Sequence, residues 1–225
     1  YAMIGHGGLD ADPNSGGNMH TGAISIDSDG SLIMTGGDVT DSYAMVGHGG
    51  VNTGGNHGHD NQSHIDITVG GNVTLTSGNG ALDGGDGANG DLSGKRSFAL
   101  IGHGGLNSGG NHAGDICIKA DGTVDLNSST ANAQHNFTQI GHGGQNSGGN
   151  HSGFVTVLSG LNGGNGEIDL DGGDGSQQWS QIGHGGEASS GNHSGSISLV
   201  SFANGGTGNV DLDAGNSTSG WALVG

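Results

Sequence analysis

One pentapeptide recurs along the whole chain. Ile-Gly-His-Gly-Gly, or the same sequence with Val in the first place, occurs five times, and each copy is preceded by an aromatic residue and two others. These aromatic residues stand 39 to 55 residues apart, and a sixth copy begins at Trp221. Self-similarity at a period of a few tens of residues is typical of a repeat array, in which each unit packs against its neighbours. The repetition is therefore evidence about architecture before it is evidence about function.

The aromatic positions divide the chain into a single array over residues 1–225. The predicted repeats are 1–42, 43–97, 98–136, 137–178 and 179–220, with the start of a sixth at 221–225. The differences in repeat length fall in segments predicted to be loops, at 10–14, 59–63 and 81–95. Longer loops add little closure entropy, so an array tolerates them. The short sixth copy leaves strand edges open, and we expect a slice of a longer rod or a unit that stacks on another.

The composition allows only a thin core. Glycine supplies 55 of the 225 residues, and 29% of the residues are hydrophobic. Each repeat nevertheless contains three short segments in which apolar and polar residues alternate, at 43–48, 65–69 and 72–75 in the second repeat. This alternation argues against disorder and predicts strands with one buried face, whereas no segment has the 3.6-residue period of a helix.

Three strands per repeat predict an all-β fold. We expect a parallel β-solenoid of about five triangular coils, each with three short strands and with almost no helix. Each strand would then pair with its counterpart in the next coil. A five-bladed propeller is the alternative, but propeller blades usually contain four strands. The chain supplies no regular fourth strand, which favours the solenoid.

The charge of the chain excludes several classes of partner. It has 21 acidic residues against three basic ones, and a net charge of −18. Such a surface repels nucleic acid and anionic lipid, and no run of about 18 apolar residues is present to span a membrane. The single cysteine, Cys117, excludes an internal disulfide framework. No serine elbow, phosphate-binding loop or paired carboxylate stands out, so we predict that the chain is not an enzyme.

Ten of the 13 histidines recur at two positions of the repeat. The first column is His6, His48, His103, His142 and His184, and the second is His20, His57, His112, His151 and His193. Imidazole is a common metal ligand, so paired columns could hold zinc, copper or nickel, although no repeated carboxylate or cysteine accompanies them. The other interpretation is structural, because a neutral imidazole offers one donor and one acceptor to the backbone of a glycine-rich corner. Buried neutral imidazoles would lose stability as the pH falls below their unfolded pKa of about 6.5.

The aromatic residues form a third column, for which two interpretations are open. Its members are Tyr1, Tyr43, Phe98, Phe137, Trp179 and Trp221. Strand parity places Ala44 and Val46 on the inner face, so the aromatic column and the neighbouring Met/Leu/Gln column would face outward. The aromatic column is then either an exposed stripe that binds a ligand such as a sugar, or a stacked ladder packed beneath loops.

Polar residues in the loops also repeat. Asn52, Asn107 and Asn146 predict a ladder of stacked amides, as do the asparagines that precede the second histidine column. The loops 83–87 and 171–175 share the sequence Asp-Gly-Gly-Asp-Gly. Clustered carboxylates could bind Ca²⁺ there, although the spacing departs from the tandem calcium-binding nonapeptide and a solvated loop is the simpler interpretation.

The repeat as a whole resembles a known family. Aromatic-Ala-x-Ile-Gly-His-Gly-Gly, followed by Gly-Asn-His-x-Gly-x-Ile-x-Val and Gly-x-Val-x-Leu, is similar to the repetitive β-helical shaft of large bacterial filamentous-haemagglutinin-like adhesins. The likeness covers essentially the whole chain. It implies a right-handed parallel β-helix, secretion to the cell surface or exterior, and a part in adhesion, extracellular filaments or biofilm. It transfers no site residue.

The leading functional hypothesis is a structural and adhesive segment of a secreted filament. Its partners would be other copies of the chain, stacked end to end or laterally, or a host or matrix surface. One alternative is a metal-binding filament that uses the histidine columns. The other is a carbohydrate-binding rod that uses the aromatic column.

Overall fold

The chain is nearly all β. The computed structural model describes residues 1–11, 19–38, 42–58, 62–78, 96–128, 134–204, 208–216 and 219–225. These residues form 25 strands and one 3-10 turn at Leu161–Gly163, and they include neither an α-helix nor any helix able to cross a membrane. Of the predicted loop insertions, 12–14, 59–61 and 81–95 lie outside the described residues.

The strands form five parallel sheets, here called A to E in the order in which the first repeat enters them. Each strand pairs with its counterpart one repeat earlier or later, so equivalent residues become neighbours. Phe98, for example, lies between Tyr43 and Phe137 in adjacent strands of sheet A. Strands paired in this way lie about 4.8 Å apart, which turns every repeated position into a column of stacked side chains.

Sheets A, D and E contain the three alternating segments of the sequence, which confirms those strand predictions. The strands are numbered in chain order. Sheet A contains β1 Ala2–Ile4, β6 Ser42–Val46, β11 Ser97–Ile101, β16 Phe137–Ile140, β21 Trp179–Ile182 and β25 Trp221–Val224. Sheet D contains β4 Ile24–Ser28, β9 Ile65–Val69, β14 Ile116–Ala120, β19 Val155–Ser159 and β23 Ile197–Ser201. Sheet E contains β5 Leu32–Thr35, β10 Val73–Thr76, β15 Val124–Asn127, β20 Glu167–Asp171 and β24 Asn209–Asp213.

Sheets B and C were not predicted. Sheet B contains β2 Gly7–Leu9, β7 Gly49–Val51, β12 Gly104–Leu106 and β17 Gly143–Gln145. Sheet C contains β3 Met19–His20, β8 Asn56–His57, β13 His112–Ala113, β18 His151–Ser152 and β22 His193–Ser194. The prediction of three strands per repeat is therefore incomplete, since the first four repeats each hold five. The additional strands have two or three residues and consist largely of glycine and histidine, so no apolar alternation marks them.

The inward side chains of sheets A, D and E form one aliphatic core. Val46 of sheet A, Ile67 of sheet D and Leu75 of sheet E belong to this continuous cluster and are at most 2% exposed. Burying a side chain of this size stabilises the fold by about 1.5–3 kcal/mol. Because every repeat adds a similar row, a chain poor in hydrophobic residues still buries a continuous core.

A second core covers the opposite face of sheet A. Tyr43 and Met45 pack there with Val51 of sheet B, in a cluster that extends through the next repeats to Trp179. The expectation that the Met/Leu/Gln column faces outward is therefore wrong. Sheet B lies over this face, and where the column becomes polar, Gln139 Nε2 donates 3.0 Å hydrogen bonds to the carbonyl oxygens of Gly183 and Gly185.

Glycine between the apolar residue and the first histidine is required by a close approach of backbones. Gly102 has φ +150°, and a Cβ there would lie 1.7 Å from the carbonyl oxygen of Gly141 in the next repeat. Gly47, Gly141 and Gly183 meet the equivalent carbonyl in the same way. Neither the backbone conformation nor the space allows a side chain at this position.

Replacing Gly102 by alanine tests this packing. We expect Gly102→Ala to lower the free energy of unfolding by more than about 3 kcal/mol, because the backbone rows must separate. The matched control is Gly148→Ala, whose Cβ would meet nothing closer than Ser190 Oγ at 3.8 Å. This control should change stability by less than about 0.5 kcal/mol in urea unfolding followed by circular dichroism. Equal effects of the two substitutions would contradict the close-approach argument.

Candidate functional site

The first histidine column lies between sheets A and B and links successive repeats. Neighbouring rings stack with centroids 4.8 to 5.1 Å apart. His142 shows the recurring pattern of hydrogen bonds. Its Nδ1 accepts the backbone N–H of His103 at 3.0 Å, and its Nε2 bonds the carbonyl oxygen of Gly114 at 2.6 Å. Both bonds reach into the preceding repeat.

The same two bonds recur at three other members of the column. His48, His103 and His184 each accept the N–H of the preceding column member through Nδ1 and reach a carbonyl oxygen through Nε2. A nitrogen that accepts from an N–H carries no proton, so the proton of each ring lies on Nε2, which donates. The column is thus a set of neutral imidazoles whose donor and acceptor are both used by the backbone.

The second histidine column belongs to sheet C and is less completely bonded. Its rings stack at 4.7 to 5.1 Å. The Nε2 atoms of His57 and His112 lie 3.4 Å from the hydroxyls of Thr53 and Ser108. Within the described residues, the buried Nδ1 atoms of His57, His112 and His151 have no hydrogen-bond partner. These rings are held by stacking and burial more than by hydrogen bonds.

Burial favours the neutral form at the buried members of both columns. It lowers the pKa of His57 and His103 to about 3, and the positive charge of neighbouring histidines lowers it further in both. The pKa of His151 falls to about 4 for the same two reasons. Burial and neighbouring histidines also hold the pKa of His112 and His142 well below the usual value. At neutral pH the interior therefore contains no charged imidazole at these positions.

The contacts of the histidine columns favour a structural role over a metal centre. No group of three or more His, Cys, Asp or Glu side chains in the described part of the chain is placed to hold a metal ion. In the first column, both nitrogens of His48, His103, His142 and His184 already bond the backbone. In the second column, neighbouring rings lie at interplanar angles of 12 to 31°. These contacts support the structural interpretation, and the zinc, copper or nickel site stays a prediction.

The aromatic column is not an exposed stripe. Tyr43, Phe98, Phe137 and Trp179 are at most 1% exposed. Glycine backbone lies against the ring of Tyr43, since a Cβ on Gly50 of sheet B would lie 2.8 Å from its hydroxyl oxygen. Consecutive rings stack with centroids 4.4 to 4.9 Å apart. In the first repeat Tyr1 is 70% exposed, and Trp221 is half-buried. The prediction of a ligand-binding stripe is therefore wrong for the four central positions, and the ladder interpretation holds.

The predicted asparagine ladder is confirmed. The side-chain amide of Asn107 donates to Asn52 Oδ1 at 3.0 Å, and that of Asn146 donates to Asn107 Oδ1 at 2.7 Å. The asparagines before the second histidine column also connect repeats, with Asn150 N–H donating to Asn111 Oδ1 at 2.9 Å. Both ladders use polar side chains for contacts between repeats.

The proposed calcium loops use their carboxylates internally where they are described. Asp171 Oδ1 accepts the N–H of Gly173 at 2.7 Å, and Asp174 Oδ1 accepts the N–H of Asn216 at 2.9 Å. The equivalent loop 83–87 lies outside the described residues. The carboxylates of the described loop therefore brace the turns of the backbone.

The residues that differ between repeats lie on the outer face of sheet D. His64, Asp66, Asp115, Cys117 and Phe154 line an open groove of about 480 Å³. His64 Nε2 lies 3.4 Å from Asp66 Oδ2, and burial raises the pKa of the Cys117 thiol. Sequence reasoning missed this groove, because the residues come from three repeats and share no pattern. A protonated thiol is a weak nucleophile, so burial leaves Cys117 unactivated.

The comparisons with known proteins add no candidate function. Neither the family models, nor the curated proteins, nor the solved structures include a match to this chain. The functional interpretation therefore depends on the chemistry of the columns. They stack, and they hydrogen-bond one repeat to the next.

Removing one histidine of the first column tests its structural role. We expect His142→Ala to lower the free energy of unfolding by about 3–5 kcal/mol, because a buried N–H and a buried carbonyl lose their partner and a cavity forms. His64→Ala is the control, since the His64 side chain is 42% exposed and its contact with Asp66 is a surface pair. Urea unfolding should show a change below about 0.5 kcal/mol for this control. A similar small change for His142→Ala would contradict the structural role of the first histidine column.

Proposed function

We propose that this chain is a structural and adhesive repeat segment of a secreted extracellular or cell-surface filament, without enzymatic activity. The observation that carries the proposal is the use of the histidine, asparagine and aromatic columns for contact between repeats. His142 bonds two backbone groups of the preceding repeat, Asn107 bonds Asn52, and Phe137 stacks on Phe98. Such columns extend a rod, and they leave no repeated group free to act on a substrate.

The proposed architecture is a right-handed parallel β-solenoid with one coil per repeat. It is supported by the register of the sheets, in which equivalent strands of successive repeats are adjacent. A chain that enters each sheet once per repeat advances by one strand spacing per coil. Five coils would rise by about 24 Å at this spacing. Triangular coils remain part of the proposal, with sheets A, D and E as the three sides around the aliphatic core.

The exterior supports a role in contact with other surfaces rather than with nucleic acid. Asp125, Asp169 and Asp211 face one another in adjacent strands on the outer face of sheet E. Burial and the neighbouring carboxylates raise the pKa of Asp169. An acidic face of this kind keeps a protein soluble and repels polyanions. The adhesive part of the proposal is supported by the resemblance of the repeat to adhesin shafts.

Deleting one whole repeat tests the structural proposal. Removal of residues 98–136 takes one strand from each of the five sheets and lets β6 pair with β16. We expect the shortened chain to keep the β-type circular dichroism per residue and to unfold a few degrees lower, because the stability of a repeat array is a sum over repeats and their interfaces. The control is removal of 98–117, which takes half of a repeat and breaks the register. Equal loss of structure in both deletions would contradict a modular array.

Location and adhesion need a separate experiment. Antibody against the chain should label intact cells that produce it as strongly as permeabilised cells, and the purified chain should coat a cell or matrix surface. Binding through contacts distributed over the rod should fall by roughly the share of repeats removed when 98–136 is deleted. Labelling confined to permeabilised cells would refute the extracellular part of the proposal, and complete loss of binding on deletion would indicate a single site in the third repeat.

A further inference from the structure

The two histidine columns form one buried cluster. His48, His103, His142, His57, His112 and His151 are all at most 1% exposed, and His184 is 7% exposed. The columns meet across the residues that follow the second histidine. A Cβ on Gly58, which follows His57, would lie 2.6 Å from Cδ2 of His103. The cluster thus contains seven imidazoles, four stacked in the first column and three in the second, and the two columns are adjacent.

The charges that act on these seven rings come from other histidines. Each of the seven is affected by at least one other histidine of the columns, His6, His20 and His193 included. The remaining polar neighbours are backbone carbonyls of sheet C and its following turns, together with the hydroxyls of Thr53 and Ser108. Among the described residues, no carboxylate acts on any of these seven rings. A proton that enters one ring therefore gains no counter-charge and repels the next proton.

We propose that the paired histidine columns are an acid-operated switch, which opens sheets B and C cooperatively while the aliphatic core between sheets A, D and E stays packed. Protonation of a first-column ring removes the Nδ1 acceptor that holds the N–H of the preceding repeat. Protonation of a second-column ring places charge in a site with no counter-ion. Opening exposes both columns to water, where every ring can be charged.

The direction of the pH dependence follows from the lowered pKa values. A histidine whose folded pKa is below its unfolded value binds more protons when it is exposed, so its contribution to stability is present above about pH 6.5 and is lost as the pH falls. At pH 5, a freed ring whose folded pKa is about 3, as at His57 and His103, favours the open state about 30-fold. His57 and His103, with folded pKa values of about 3, keep this dependence through the whole interval.

Two carboxylates on the other side of the molecule act in the opposite direction. Burial raises the pKa of Asp125 and Asp169 on sheet E, so protonation stabilises their folded environment as the pH falls. Burial raises the pKa of Glu187, beside sheet B, but hydrogen bonds from His135 and Gln145 lower it, so that the net shift is downward. The contribution of Glu187 to folding stability is therefore lost in acid. Acid therefore weakens the side of the molecule that contains sheets B and C and spares sheet E.

Hydrogen exchange at pH 7.5 and pH 5, corrected for intrinsic rates, tests the proposal. We expect segments 49–57 and 104–113 of sheets B and C to lose protection by up to about 30-fold for each ring freed, while segments 65–76 and 116–127 of sheets D and E keep theirs. The double variant His112→Leu/His151→Leu removes two titrating rings at similar volume. It should therefore reduce the loss of protection at pH 5 by about 30-fold for each of the two rings removed.

His64→Asn is the matched control, because His64 is a half-buried histidine outside the columns. It should leave the pH dependence unchanged. If the double variant does not fold, His57→Leu alone gives the same comparison, and the loss of protection at pH 5 should then decrease by the contribution of one ring. Unchanged protection of sheets B and C at pH 5 would overturn the switch, as would simultaneous loss of protection in all five sheets or an equal effect of His64→Asn.

Discussion

Each side chain in this fold must pack against a copy of itself one strand spacing away. Parallel pairing in register between equivalent residues imposes this condition on every repeated position. Residues that attract their own copies satisfy it: Ile and Val interlock, aromatic rings stack, and asparagine amides donate to one another. Glycine satisfies it where two backbones come too close for any side chain, as at Gly102. Charged residues cannot satisfy it in the interior, which explains why acidic residues lie outside.

Histidine meets the same condition through its neutral form. A neutral imidazole has one donor and one acceptor, and in the first column the backbone of the adjacent repeat uses both. Replacement by phenylalanine would keep the stacking but lose both bonds, and replacement by lysine would bring like charges together. The neutral state depends on burial without a counter-charge. The same buried histidines that hydrogen-bond one repeat to the next therefore also make this region sensitive to acid.

The sequence predicted those parts of the fold in which side-chain pattern and environment coincide. Ile65, Ile67 and Val69 alternate with polar residues, so both their strand and their inward direction could be predicted. The stacking of Asn52 on Asn107 followed from the repeat alone. Met45 was misplaced because the same column contains glutamine in later repeats, and the hydrogen bonds that bury Gln139 are made with carbonyls of the next repeat. The outer groove could not be predicted, since His64, Cys117 and Phe154 come together only through the pairing of three repeats.

The sequence by itself determined the repeat, the three alternating strands and the inner face of each, because periodicity and side-chain alternation are local properties. Tertiary structure alone decided that sheet A is buried on both faces. The strand that covers its second face is Gly-Gly-x, which has almost no side chains to produce a pattern. Its glycines adopt positive φ and come within contact of the rings beneath, so that a Cβ on Gly186 would lie 2.9 Å from Trp179 Cη2. Glycine contributes nothing to a hydrophobic pattern, so the sequence did not reveal this strand. The absence of side chains nevertheless allows the strand to pack directly on the aromatic rings and to bury them.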